Sequence, residues 1–394
     1  MKYDMMSSSI IEGILSRRKK LRNKVAVAMI NVVVIDHNNQ RDRHYLTRGA
    51  LLKPRSSPWR KLLSDGDAST SFLDLTGMTY AAFKELVVIL YPPTVGVVRG
   101  RPPMFTNEDK VGLYLMFVGS TMVYKHLCTI FGVVPKTCSD AIKETMLLVV
   151  RKLRRHPDAE VKFPDTEEKC MFFANLIRRR EPSITNCIGF LDGVSFHACC
   201  SSDEYEQNAH YSGYHCDTMC NNVFLFAPTG IVIGSSINYY GSWGDSAVCD
   251  PIKRKFKRKA PGFSCAVDQG FPRSGEMEGV FIGPISTKKR KTLHPIIRKE
   301  TLKLHNTYVS LRQSSEWGMR ALQGTFPRLK SRLCSDSHRR GDIIESIVLL
   351  HNFRTNKVGF NQIQTVFNPH YQQYINIEGY DRIQRYYADV DSVE

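Results

Sequence analysis

Between residues 74 and 153 the apolar positions recur at helical spacing. Phe83, Leu86, Val87 and Leu90 form one stripe behind Thr79, a suitable cap, and Pro92-Pro93 ends the helix. Thr106-x-x-Asp109 has the form of a capping box ahead of Val111, Tyr114, Leu115 and Val118. Gly119-Ser120 predicts a turn, a short helix then reaches Phe131, and Gly132-Val133-Val134-Pro135 predicts a second turn. A third helix, from Lys136 to about Leu153, carries Ile142, Met146 and Val149 on one face. This succession predicts an all-α, helix-turn-helix-like DNA-binding domain over 66–158, whose last helix would enter a major groove. A plain helical bundle is the alternative. Residues 1–65 read as a basic N-terminal arm with one apolar helix or strand, and Gly100–Pro103 as a linker.

After Lys162 the helical period gives way to short apolar runs. Cys187–Leu191 predicts a strand ending in Asp192-Gly193. Asn222–Phe226 and Gly230–Ile237 predict a hairpin across Ala227-Pro228-Thr229-Gly230, and Phe263–Val267 a further strand before Asp268-Gln269-Gly270. A helical region containing Glu316 and an amphipathic helix from Gly341 to about Phe353 follow. Strands first and helices later predict a mixed α/β domain over 180–360, with 361–394 as a C-terminal tail.

Composition narrows the class. With 394 residues, 42% hydrophobic and 24% charged, the chain has the make-up of a globular protein of two or three domains. No apolar run approaches the ~20 residues that span a bilayer, and the longest near the N-terminus, Val25–Ile35, is broken by Asn31. That run follows Arg17-Arg18-Lys19-Lys20 without a small-residue cleavage site, so an intracellular chain without a membrane partner is expected. Lys plus Arg number 55 against 38 Asp plus Glu, a net charge of +17, which favours a polyanionic partner, nucleic acid first. The 11 scattered cysteines predict free thiols in a reducing compartment. His197, Cys199, Cys200, His210, His215, Cys216 and Cys220 supply zinc-type ligands, but with no C-x-x-C pair and no zinc-module spacing.

Asp192 and Asp268 each follow an apolar strand and precede a glycine. Acids at strand ends sit where α/β sheets open to ligands, and two on adjacent strands could share divalent cations. A pair of such ions about 4 Å apart activates an attacking oxygen and stabilises the leaving oxygen of a phosphodiester. Asp before Gly is also a common turn pair.

Five segments occur in one order: CIGFLDGVSF (Cys187–Phe196), Tyr211-Ser212-Gly213-Tyr214, GSWGDS (Gly241–Ser246), VDQGFP (Val267–Pro272) and LLHNF (Leu349–Phe353). The series resembles the DDE transposases of the PIF/Harbinger superfamily and the Harbinger transposase-derived nucleases, over roughly residues 70–360. The resemblance implies an RNase H-like catalytic core with Asp192 and Asp268 as two of its acids. For the third, Arg312, Glu316, Leu329-Lys330 and Arg332 follow the family's order, although Glu316 stands farther from Leu329-Lys330 than is common; Glu300 is the fallback. Asp245 also matches a family acid and is a further candidate ligand. Val194-Ser195 stands where the family often has Thr and His, so loss of both polar side chains is expected.

Two basic runs frame this core: Lys253, Arg254, Lys255, Lys257, Arg258 and Lys259 around Phe256, and Lys288, Lys289, Arg290 and Lys291. Both are expected in loops flanking Asp268, where they would grip DNA phosphates or act as nuclear localisation signals. The combined expectation is a DDE endonuclease or transposase in which Asp192, Asp268 and Glu316 bind two Mg²⁺ or Mn²⁺ ions. The resemblance implies a separate Myb-like partner, and a homo-oligomer and a nuclear location shared with the cytoplasm are also expected. A domesticated regulator that binds DNA without cleaving it is the alternative. An RNA-binding factor is a third reading, without an RNA-recognition motif to support it.

Overall fold

The computed structural model describes residues 13, 15–30, 46–68, 70–93, 105–286, 290–292, 294–359 and 361–367. Gly100–Pro103, Lys288, Lys289 and the tail beyond 367 lie outside the described residues.

The strand Cys187–His197 (β1) is central in one mixed sheet, with Tyr211–Ser212 (β2), Asp217–Phe226 (β3), Val232–Tyr240 (β4), Ser264–Ala266 (β5) and Phe281–Ile282 (β6). The order is β2-β3-β1-β5-β6, and β4 pairs with β3. β1 is buried on both faces from Cys187 to Leu191, which explains its continuous apolar run. It does not end at Asp192-Gly193 as expected. Antiparallel pairing with β3 continues from Phe190↔Phe226 to His197↔Met219, so the Asp-Gly pair lies inside the strand. The expected hairpin forms, extended to Asp217 at one end and Tyr240 at the other.

The helical part begins with an exposed helix over 15–30 (α1). Pro58–Asp65 (α2), Ser71–Thr76 (α3), Tyr80–Leu90 (α4), Asn107–Val118 (α5), Tyr124–Phe131 (α6) and Pro135–Leu153 (α7) follow. Thr79 caps α4 through the amide of Ala82, and Thr106 and Asp109 complete the capping box of α5. The arm boundary expected at 65 falls inside this packing. Trp59 of α2 is buried between Phe131, with ring centroids 5.0 Å apart, and Phe83 and Phe72. Its indole N–H donates to Asp109 at 3.0 Å, and Arg60 pairs with the same carboxylate, so this buried charge is matched.

Glu167–Arg180 (α8), Glu204–His210 (α9), Asp245–Val248 (α10) and Asp250–Lys259 (α11) attach to the sheet region. A long helix, Pro295–Thr325 (α12), lies across β1 and leads to Ser337–Val358 (α13) and Gln362–Phe367 (α14). The helical unit and the sheet unit are not separate bodies, because α13 packs on α7 and β4, and one apolar cluster runs from Trp59 to Phe367. Tyr114 of α5 bonds to Ser346 of α13, and Arg354 donates to the carbonyl of Gly77 at 2.7 Å. The expected tail boundary at 361 also yields: Ile363 and Phe367 are buried, the latter against Phe190.

LLHNF proves to be a clamp on the hairpin. Asn352 accepts from the amide of Val232 at 2.7 Å and donates to its carbonyl at 2.9 Å. His351 bonds to the carbonyl of Gly230, and burial lowers its pKa to about 4, so it is neutral at pH 7. No helix of the described residues is long and apolar enough to cross a membrane.

Truncating Trp59 to Ala should cost about 3–5 kcal/mol, the range for an aromatic removed from a packed core. Trp59→Phe, which keeps a ring but leaves Asp109 without that donor, should cost about 1–2 kcal/mol. Urea-denaturation midpoints measure both, and a Trp59→Phe midpoint equal to that of wild type would refute the role given to the indole N–H.

Candidate active site

Strand register brings the first two acids together. β5 runs parallel to β1 with Phe190 opposite Ala266. Two residues further on stand Asp192, still in β1, and Asp268, past the end of β5, near enough for the charge of one to act on the other. The pairing places Asp192 in the strand itself, where exposure begins after the buried Leu191, and Asp268 just past the end of β5.

Asp245, at the first turn of α10, completes this corner. A Cβ built on Gly193 would lie 2.3 Å from its Oδ1 and 2.5 Å from its Cγ, so the carboxylate rests directly on the glycine. Glycine inside a strand here marks close approach and not a turn. Burial raises the pKa of Asp245, and the neighbouring charge of Asp268 raises it further. Burial likewise pushes Asp192 up to about 6, with Asp268 adding to the rise. The amide of Gly193 at 2.9 Å, the hydroxyl of Ser315 at 3.2 Å and the charge of Arg312 act in the opposite direction.

Helix α12 supplies the other side. Arg312 reaches Asp268 with Nε 3.2 Å from Oδ1 and pairs with Glu316 one turn on, so a single guanidinium joins the second and third predicted acids. Glu300 pairs with Lys303 on the same helix. Its 16-residue separation from Glu316 is about 24 Å of helix, which removes it from the site. Ser315 has no motif of its own in the sequence, and only Arg312 and Glu316 point to this turn. Ser195 is the other omission. Its hydroxyl donates to Asn221 Oδ1 at 2.7 Å, so a polar role survives beside Val194 where loss was expected.

The basic run 253–259 is a helix, not a loop. Ile252 and Phe256, four residues apart, are buried against the sheet and set its inner face. Arg254, Lys257 and Arg258 are exposed, while Lys253 pairs with Asp250, Lys257 with Glu276, and Lys255 is half-buried with its pKa lowered by desolvation. Of the second run, Arg290 and Lys291 are helical. Among the described residues the zinc-type side chains form no ligand cluster: His210 is buried against Arg340, His197 pairs with Asp217, and Cys220 is buried.

Asp192, Asp245, Asp268 and Glu316 offer carboxylate oxygens, the donors that Mg²⁺ and Mn²⁺ take. Two desolvated acids beside a third leave negative charge that a cation would neutralise, so the donor set fits a hard divalent ion. Among the described residues no three of His, Cys, Asp and Glu already close on one point as ligands. Arg312 stands between Asp268 and Glu316.

Asp192 binds its proton more tightly in the folded chain than in the unfolded one, where 3.8 is its ordinary value, so its ionisation costs stability as pH rises through about 6. Asp192→Asn should therefore stabilise the protein at pH 7.5 in EDTA by on the order of 2 kcal/mol, with little change at pH 4. Thermal melts across that range test this, and no gain at pH 7.5 would show that the carboxylate is well solvated.

No curated protein and no solved structure matches the chain. Residues 191–352, less than half of the chain but including all four acids and ending within LLHNF, match the family model described as DDE superfamily endonuclease.

Proposed function

We propose that this protein is a metal-dependent DNA endonuclease of the transposase type, of PIF/Harbinger kind. The observation that carries the reading is the convergence of Asp192, Asp268 and Arg312-Glu316 from β1, β5 and α12, three elements distant in sequence. Asp192, Asp268 and Glu316 would hold Mg²⁺ or Mn²⁺, with Asp245 as a neighbouring acid. When bound, such ions supply Lewis-acid activation of the phosphodiester and of the attacking water or 3′-hydroxyl. The chain's own groups do the placing: Ser315 and the Gly193 amide orient Asp192, and Arg312 keeps Asp268 and Glu316 within one guanidinium of each other. Exposed cations of α11, which begins five residues after Asp245, would hold the phosphate backbone beside the acids.

The α5–α7 unit is a second proposed DNA contact. Lys136 on the outward face of α7 pairs with Asp140, and Glu144 pairs with Lys110, so that face is partly neutralised in the free protein. This favours a supplementary role and agrees with recognition aided by a Myb-like partner in the nucleus. The regulator reading keeps the fold and the basic helix but needs no intact acid corner.

Asp192→Asn, Asp268→Asn and Glu316→Gln should each lower Mg²⁺-dependent nicking of duplex DNA by 10³-fold or more, on the order of 4 kcal/mol of barrier. Binding to the same duplex in EDTA should persist, and Glu300→Gln should nick normally. A wild type that binds but never nicks in Mg²⁺ or Mn²⁺ with a partner supplied would favour the regulator.

Replacing Arg254 and Arg258 together with Ala should weaken binding of every sequence alike. It should also flatten the plot of log K against log salt by about two units, close to one per lost phosphate contact. An unchanged slope would take α11 out of the interface.

A further inference from the structure

The GSWGDS segment does more than deliver Asp245. Its backbone is pinned from several sides: Asn221 donates to the carbonyl of Trp243 at 2.6 Å and to that of Gly241 at 3.2 Å, and Ser242 bonds twice to the carbonyl of Ala209. Gly241 is hemmed in, since a Cβ there would meet the carbonyl oxygens of His210 at 2.3 Å and Met219 at 2.6 Å. Through Asn221 the segment is tied to Ser195 of β1, three residues from Asp192. A segment held this firmly could bury its one large side chain, yet the indole of Trp243 remains 43% exposed. Tyr239 and Tyr240 support it, with ring centroids at 5.7 and 5.8 Å, and Tyr240 in turn rests edge-on against His210.

An exposed but rigidly backed aromatic plane has lost its conformational freedom before any ligand arrives, which lowers the cost of stacking on it. Its position limits the ligand. Trp243 and Asp245 are two residues apart, at most about 7 Å along the chain, and the cations of α11 begin eight residues later in sequence order after that acid corner. Nucleotides advance about 3.4 Å each along a duplex strand, so this span corresponds to one or two of them.

We propose that Trp243, backed by Tyr239 and Tyr240, is a stacking platform for an unpaired DNA base one or two nucleotides from the cleavage point beside the acid corner of Asp192, Asp245 and Asp268. The proposal rests on the nuclease reading for its substrate and adds a requirement for a single-stranded or unstacked position next to the cleavage point. Every base has a π-face, so the platform selects for unpairing and not for base identity.

The experiment compares the full chain's affinity, in EDTA, for a paired duplex and for the same duplex ending in a short single-stranded DNA tail that carries 2-aminopurine. Wild type should bind the tailed DNA more tightly and quench the 2-aminopurine. Trp243→Ala should abolish the quenching and the preference, a loss of roughly 5- to 100-fold for the tailed DNA, with affinity for the paired duplex unchanged. Trp243→Phe should retain most of the preference, and melting temperatures would show that both variants are folded. Equal losses for both DNAs in Trp243→Ala, no tail preference in wild type, or tighter binding of an RNA tail of the same sequence would each overturn the proposal. Failure to bind either DNA would overturn the nuclease reading itself and the platform with it.

Discussion

The close approach of the Asp245 carboxylate to Gly193, which leaves no room for a side chain at that position, is the constraint on which the acid corner depends. It presses an acid from α10 onto the strand that carries Asp192, beside Asp268, so that three carboxylates share one half-buried corner. Like charges at low hydration are costly, and the raised pKa of Asp192 expresses that cost. A fold that keeps such a corner must hold it by force from elsewhere. β1 and β3 pair over eight positions, and the clamp of His351 and Asn352 fastens the hairpin behind them.

The same constraint explains the traffic around α12. Arg312 is the cation that faces Asp268 and Glu316, and Ser315 turns inward from the same helix turn to reach Asp192. Beyond its end α12 is tied to the N-terminal helices. Arg328, just beyond it, donates to the carbonyls of Phe117 and Met122 and lies over the Phe117 ring. The N-terminal helices therefore hold the segment that follows α12, the helix carrying Arg312, Ser315 and Glu316. The helical unit thereby supports the element behind the site as well as any DNA contact proposed for it.

Deeper in the same region, Arg340 is buried without a carboxylate partner among the described residues. Its guanidinium is shared among Asn238, His210 and the carbonyls of Cys334 and Ser335. Burial and the nearby arginine hold His210 in its neutral form, able to accept that hydrogen bond. This network of one buried cation on uncharged acceptors joins α13, β4 and α9 and anchors the segment leading to Trp243.

Local chemistry made much of this legible from residue order alone. The capping box of Thr106 and Asp109, the Thr79 cap, the hairpin at Gly230 and the apolar run of β1 are short-range patterns, set by neighbours within a few residues. The acids Asp192 and Asp268 could be named because strand-end carboxylates and the order of the motifs need no knowledge of distance. Tertiary structure decided the rest. Asp192-Gly193 carries a turn signal, but pairing with β3 drew the strand through it and left the glycine as the space for Asp245. Lys253–Lys259 looked like a charged loop because six cations masked the apolar pair Ile252 and Phe256, and burial of those two against the sheet made it a helix. Trp59 and Phe367 looked peripheral by position, yet long-range contacts with Phe131 and Phe190 bring both into the core. Each reversal has one physical cause: burial and close approach depend on partners scores or hundreds of residues away, and their free energy outweighs the local preference that residue order displays.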